Sequence, residues 1–125
     1  MNKEFIPYEQ ALALKEIEFN EPCVYYVDKD NNSYIYNFQT HPDEFIEGCG
    51  VNVIPTPTFS QAFRWFRKNY KLLGSPQYFT GGYYCYTIND MKDTKESNRL
   101  FTEFGTYEEA ELECLKKLIQ IVKTK

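Results

Sequence analysis

The run from Thr58 to Lys71 constrains the fold of this chain more than any other. Thr58 and Gln61 have the spacing of a capping box, in which a hydroxyl and a side-chain amide satisfy the free N–H groups at a helix start, so a helix is predicted to begin at Phe59. Pro57 just before it stops the incoming chain. Phe59, Ala62, Phe63, Phe66 and Tyr70 recur at helical spacing and, at about 100° per residue, gather on one arc. Such an arc needs a core, and the remaining segments must supply a surface to cover it.

The opposite arc carries Arg64, Arg67, Lys68 and Lys71 at i, i+3, i+4 and i+7, with Trp65 on a flank. One reading is a docking surface for phosphate or for an acidic partner, with Trp65 as an aromatic anchor. The other is the solvated face of an amphipathic helix. Four charges opposite a core are routine, so the pattern alone favours the second. Arg64, Trp65, Arg67, Lys68 and Lys71 are nevertheless the candidate binding residues of this stretch.

Around this helix the chain reads as follows. A first helix is expected from Pro7 to Glu18, with proline suited to the first turn and Asn20-Glu21-Pro22 ending it. Ala11, Leu12, Ala13, Leu14 and Ile17 favour a helix but spread around it. Residues 23–27 and 33–38 are rich in Tyr, Val and Ile, and the polar stretch 28–32 between them has turn chemistry, so the three together predict a hairpin. Residues 39–50 read as irregular with a short helical turn at 43–47, and 51–54 as a short strand ended by Pro55 and Pro57. Leu72-Leu73-Gly74-Ser75-Pro76 reads as a connection. Residues 78–80 and 83–88 are strand-like around Gly81-Gly82, which reads as a turn or bulge. The polar stretch 89–98 reads as a mobile loop and 99–104 as a last strand. Thr106 and Glu109 form a second capping box opening a final helix. Its apolar face is Ala110, Cys114, Leu115, Leu118, Ile121 and Val122, with a Glu113–Lys117 pair at i, i+4. Glu111 falls on that apolar arc, close enough to the helix N-terminus for its carboxylate to be favoured there and to reach water. The expectation is one α+β domain over residues 1–125, three helices packed on a mostly antiparallel sheet in the order α-β-β-α-β-β-α.

Several function classes fall away on composition and spacing. The net charge is −4, whereas a general nucleic-acid binder is normally basic, so any such role is local to the central helix. No run of about 18 apolar residues could span a membrane, and the start Met1-Asn2-Lys3-Glu4 lacks the apolar segment of a secretory leader. A cytoplasmic location is expected. Cys23, Cys49, Cys85 and Cys114 are widely spaced with no C-x-x-C, and the single His41 completes no zinc pattern. Four reduced thiols are expected. The stretch Asp28 to Asn32 has the flavour of a calcium loop but lacks the following glycine and the acid at position 12, where Gln39 stands. Nothing orients His41 toward Cys49 for nucleophilic catalysis, and Gly81-Gly82 belongs to no phosphate-binding motif. Tyr83, Tyr84 and Tyr86 could stack on bases but read as half-buried sheet residues. The expectation is no metal, no cofactor and no catalytic constellation, hence not an enzyme.

Tyr8-Glu9-Gln10-Ala11, Phe59-Ser60-Gln61-Ala62 and Tyr107-Glu108-Glu109-Ala110 share an aromatic-x-Gln/Glu-Ala pattern, read as shared helix-start grammar because the segments between them do not match. Phe5 to Glu16, Glu21-Pro22-Cys23, Gln61 to Arg67 and Thr106 to Ile119 together resemble a group of small uncharacterised proteins common in the phage and prophage gene sets of gut bacteria. Members of that group commonly carry glycine where Glu18 stands, which leaves the end of the first helix open here. The resemblance covers the three helices and brings no activity or site residue; it implies an accessory role in a mobile element. With an acidic chain rich in tyrosine and phenylalanine, the expected function is protein–protein contact, most simply self-association. The alternative is a nucleic-acid-binding accessory protein working through the basic helix face.

Overall fold

The computed structural model describes residues 4–28, 33–40, 54–92 and 97–124. The turn at 29–32, the segment 41–50 with His41 and Cys49, the first part of the short strand expected at 51–54, and part of the loop expected at 89–98 lie outside the described residues. The rest falls into two compact units, Met1–Thr58 and Phe59–Lys125. Among the described residues the order is α-β-β-β-α-β-β-β-α, an α+β arrangement whose strands form two small antiparallel sheets.

In the first unit α1 spans Tyr8–Glu16. Pro7 is its extended N-cap, with ψ 159°, and not part of its first turn; its carbonyl still accepts from the Gln10 and Ala11 N–H groups at 3.1 and 3.0 Å. The helix ends two residues earlier than the periodicity suggests, because Glu18 turns left-handed at φ 72°. The Phe19 N–H then reaches back to the Leu14 carbonyl at 2.9 Å and the Glu18 N–H to the Lys15 carbonyl at 3.0 Å. These two bonds make a Schellman end, built here on a glutamate where glycine is the natural residue. Phe19 and Leu14, the apolar pair that accompanies such an end, are both buried.

Strands β1 (Cys23–Val27) and β2 (Ser33–Thr40) form the expected antiparallel hairpin, with Tyr26 opposite Tyr34 and an irregular register between Cys23 and Tyr25. The second strand runs to Thr40, past the point where an irregular segment was expected. β3 is short, Ile54–Pro55, and pairs with the other side of β1, so the order is β2-β1-β3. Pro55 lies inside this strand, which a proline tolerates on an edge. Phe5 stacks on Tyr25 at 4.2 Å, and the Ile6 N–H donates to the Pro57 carbonyl at 3.1 Å, fastening the start of the chain beside β3.

In the second unit α2 spans Phe59–Tyr70, starting where the capping box puts it. β4 (Leu72–Phe79), β5 (Tyr83–Asp90) and β6 (Ser97–Phe104) follow as an antiparallel meander. The stretch Leu72 to Pro76, which reads as a connection, is the first half of β4. Gly74 and Pro76 disguise it, and both have local reasons. Pro76 lies on an edge strand, where one side of the ladder needs no donor. Gly74 lies under α3 (Tyr107–Lys123), and a Cβ there would stand 2.9 Å from both Cys114 Sγ and Leu118 Cδ1. The β4–β5 loop of three residues closes with the Gly82 N–H on the Phe79 carbonyl at 3.0 Å, and Gly82 supplies the positive φ of 90° that it requires.

Helices α2 and α3 pack against β4 and against each other. Phe59, Ala62 and Phe66 of α2 and Ala110, Cys114, Leu115, Leu118 and Ile119 of α3 are buried. Ile119 takes the core place expected for Ile121 and Val122, which are half-buried. The Thr106 hydroxyl accepts from the Glu109 N–H at 3.1 Å, the bond predicted from the capping box. Glu113 pairs with Lys116 at 3.1 Å, one residue nearer than the Lys117 expected, on an exposed surface where the pair contributes little.

Candidate functional site

Two surfaces of the second unit carry exposed chemistry. On α2, the packing of Phe59, Ala62 and Phe66 turns Arg64, Arg67 and Lys68 to solvent. None of the three enters an ion pair with the described residues. Arg64 lies one helical turn from both Arg67 and Lys68, so the three heads form one patch.

The other two residues of the expected site lie elsewhere. Trp65 is buried, with 5% of its surface exposed, and its ring meets Phe66 at 5.1 Å and Tyr70 at 5.3 Å, both edge-on. A large apolar ring gains more from this packing than from a flank position in water, so Trp65 is no exposed anchor. Lys71 is exposed but stands beyond the helix. The chain turns left-handed there at φ 57° to enter β4, and the Lys71 carbonyl accepts from the Met91 N–H at 2.8 Å.

The second surface is aromatic, and it is the one sequence reasoning missed. The β4–β5 register puts Tyr78 opposite Tyr84, with ring centroids 5.1 Å apart. The Thr106 cap makes Tyr107 the first residue of α3 and brings its ring to Tyr84, edge-on at 6.2 Å. Tyr78 is 62% and Tyr107 43% exposed, with Tyr84 half-buried between them. On the other side of the β4–β5 loop, Phe79 stacks on Tyr83 at 5.5 Å. Each ring is unremarkable in sequence: Tyr107 belongs to a helix start and Tyr78 to an alternating strand. Only the register of one hairpin and the entry of one helix put them together.

This aromatic row has carboxylates beside it. Burial first, then Glu111, Cys114 and Glu108, raise the Tyr107 hydroxyl above the ordinary phenol range. Glu111 itself is half-buried, and its carboxyl is raised by that burial and then by Glu108. Burial therefore outweighs the helix N-terminus that was expected to favour this charge. Tyr86, buried and stacked with Phe104 at 6.2 Å, is raised by burial, Cys114 and Glu113.

Burial raises two of the described thiols, Cys114 in the second unit and Cys23 in the first. Burial pushes Cys114 up to about 12, with a backbone hydrogen bond at Ser75 pulling the other way and Glu111 adding to the rise. Cys23 is likewise pushed up to about 12, by burial and then by Glu21, and its Sγ lies 3.5 Å from the Glu21 carbonyl oxygen. A nucleophilic cysteine needs the thiolate, and these two hold their protons. Cys85 is buried and forms no disulfide with the described residues. Among the described residues no three His, Cys, Asp or Glu side chains converge in a way that could hold a metal ion, and no helix is long and apolar enough to cross a membrane. Comparison with protein-family models, with curated proteins and with solved structures gives no match for this chain.

Proposed function

We propose that this chain is a small protein–protein interaction module, with self-association as its simplest form, serving as an accessory protein of a phage or other mobile element. The observation that carries the reading is the row Tyr78, Tyr84 and Tyr107, in which the half-buried Tyr84 ring meets each of the other two and both end rings are open to solvent. Tyrosine offers large contact area at low entropic cost, and interfaces are enriched in it. Glu108 and Glu111 beside the row oppose the approach of phosphate, so the same rings are ill placed to stack on nucleic-acid bases.

A second reading, nucleic-acid binding through α2, is favoured by the exposed Arg64, Arg67 and Lys68, which enter no ion pair among the described residues. It is weakened by the burial of Trp65, which removes the stacking ring, and by the departure of Lys71 from the helix. Titration with single-stranded and duplex DNA and RNA at low and moderate salt, run beside light scattering, separates the two. The proposal expects no salt-sensitive nucleic-acid binding and a mass above that of one chain. Binding that is lost in Arg64→Glu/Lys68→Glu would overturn it in favour of the second reading.

A further inference from the structure

The two exposed surfaces of the second unit complement each other in sign, spacing and chemistry. The tyrosine row has ring centroids spaced at 5.1 and 6.2 Å. On a helix surface, residues three and four apart lie about 5–6 Å apart, so Arg64 stands about one ring spacing from each of Arg67 and Lys68. Guanidinium groups stack on tyrosine faces and pair with carboxylates, and the row offers both, because Glu108 and Glu111 lie close enough to Tyr107 to act on its hydroxyl. Glu109 adds a second exposed carboxylate, after Glu108, in the first turn of α3, with Glu111 half-buried beyond them. Neither the three cations nor Glu108 and Glu109 pair with a charged group among the described residues.

We infer that the occupant of the tyrosine row is the basic face of α2 from a second copy of this chain, with Arg64, Arg67 and Lys68 laid across Tyr78, Tyr84 and Tyr107 and their charges met by Glu108, Glu109 and Glu111. This rests on the self-association reading above and specifies which surface meets which. The contact joins unlike surfaces, so every copy presents one of each. The tyrosines supply the buried area and the charges fix the orientation and the salt dependence.

The test uses two charge-reversed chains in sedimentation velocity at low and moderate salt. Arg64→Glu/Arg67→Glu/Lys68→Glu keeps the tyrosine row and loses the basic face; Glu108→Lys/Glu109→Lys does the converse. Each alone is expected to associate at least about tenfold more weakly than the wild type. An equimolar mixture is expected to associate again, because the intact row of the first chain meets the intact basic face of the second. Circular dichroism identifies a variant that has not folded. In that case Arg64→Gln/Arg67→Gln and Glu108→Gln/Glu109→Gln replace the reversals, and each is expected to weaken association at low salt and to flatten its salt dependence. Wild-type association in the folded variants, or a folded mixture that stays dissociated, overturns this docking mode and leaves self-association standing. A wild-type chain that is monomeric throughout overturns self-association itself and this inference with it.

Discussion

Replacing Gly74 with alanine should destabilise the second unit, although the usual direction of this change is the opposite. At a site whose backbone alanine can adopt, Gly→Ala stabilises by about 0.4–1 kcal/mol through the unfolded chain, and Gly74 is not among the residues with positive φ. The new methyl would stand 2.9 Å from Cys114 Sγ and 2.9 Å from Leu118 Cδ1. Both are ends of side chains and would normally swing aside, but both residues are fully buried, so there is nowhere to go. Overpacking of this kind costs about 1–3 kcal/mol, which exceeds the chain-entropy gain and leaves a net loss of about 1–2 kcal/mol. Cys114→Ala removes one of the two clashing atoms, so Gly74→Ala should cost less in that background, with a coupling of about 1 kcal/mol between the two positions. Urea unfolding of the wild type, the two single variants and the double, followed by the fluorescence of buried Trp65, measures this. If Gly74→Ala is as stable as the wild type and the two changes add, then α3 does not lie on β4 as described.

Glu18→Gly should raise the thermal midpoint, because a left-handed residue other than glycine costs about 1–2 kcal/mol while the added chain entropy of glycine returns about 0.5–1; a fall would show that Glu18 is not left-handed. The carboxyl of Glu111 is raised in the folded chain, so the folded state holds its proton more tightly than the unfolded chain does. Its contribution to stability therefore falls as pH rises from the ordinary glutamate value through the raised one, and Glu111→Gln should be more stable than the wild type at neutral pH and lose that advantage in acid. Urea midpoints of the pair from pH 4 to 7 test this, and an advantage that grows in acid would refute it. Denatured without reductant, the chain should titrate four thiols, while in the native protein Cys23, Cys85 and Cys114 should react slowly even at mildly alkaline pH; two or no thiols on denaturation would mean disulfides.

What was legible in the sequence was local grammar. The starts of α2 and α3 follow from their capping boxes, because the deciding interactions lie within four residues, and the β1–β2 hairpin follows from two β-rich runs around a polar turn. The end of α1 was not legible. Glutamate carries no signal for a left-handed turn, and the turn is held by the Phe19 N–H bond to the Leu14 carbonyl and by the burial of both residues. The first half of β4 was hidden for a similar reason, since Gly74 and Pro76 mean a loop unless a helix lies over the one and an open edge beside the other. Of the candidate site, the periodicity of α2 placed Arg64, Arg67 and Lys68 on the exposed face. It misplaced Trp65, whose burial depends on its neighbours Phe66 and Tyr70, and Lys71, whose backbone belongs to the turn into β4. Of the tyrosine row only Tyr84 stood out, among strand tyrosines read as half-buried; Tyr78 and Tyr107 join it through a hairpin register and a helix start that are remote in sequence.

The most direct test of the account is sedimentation equilibrium of the wild type beside Tyr78→Ser/Tyr107→Ser. Both rings are exposed and neither belongs to the buried core, so the double variant should still fold. The account predicts a wild-type mass that rises with concentration above that of one chain, and a variant that stays near the mass of one chain over the same range. Equal association of the two proteins would contradict it.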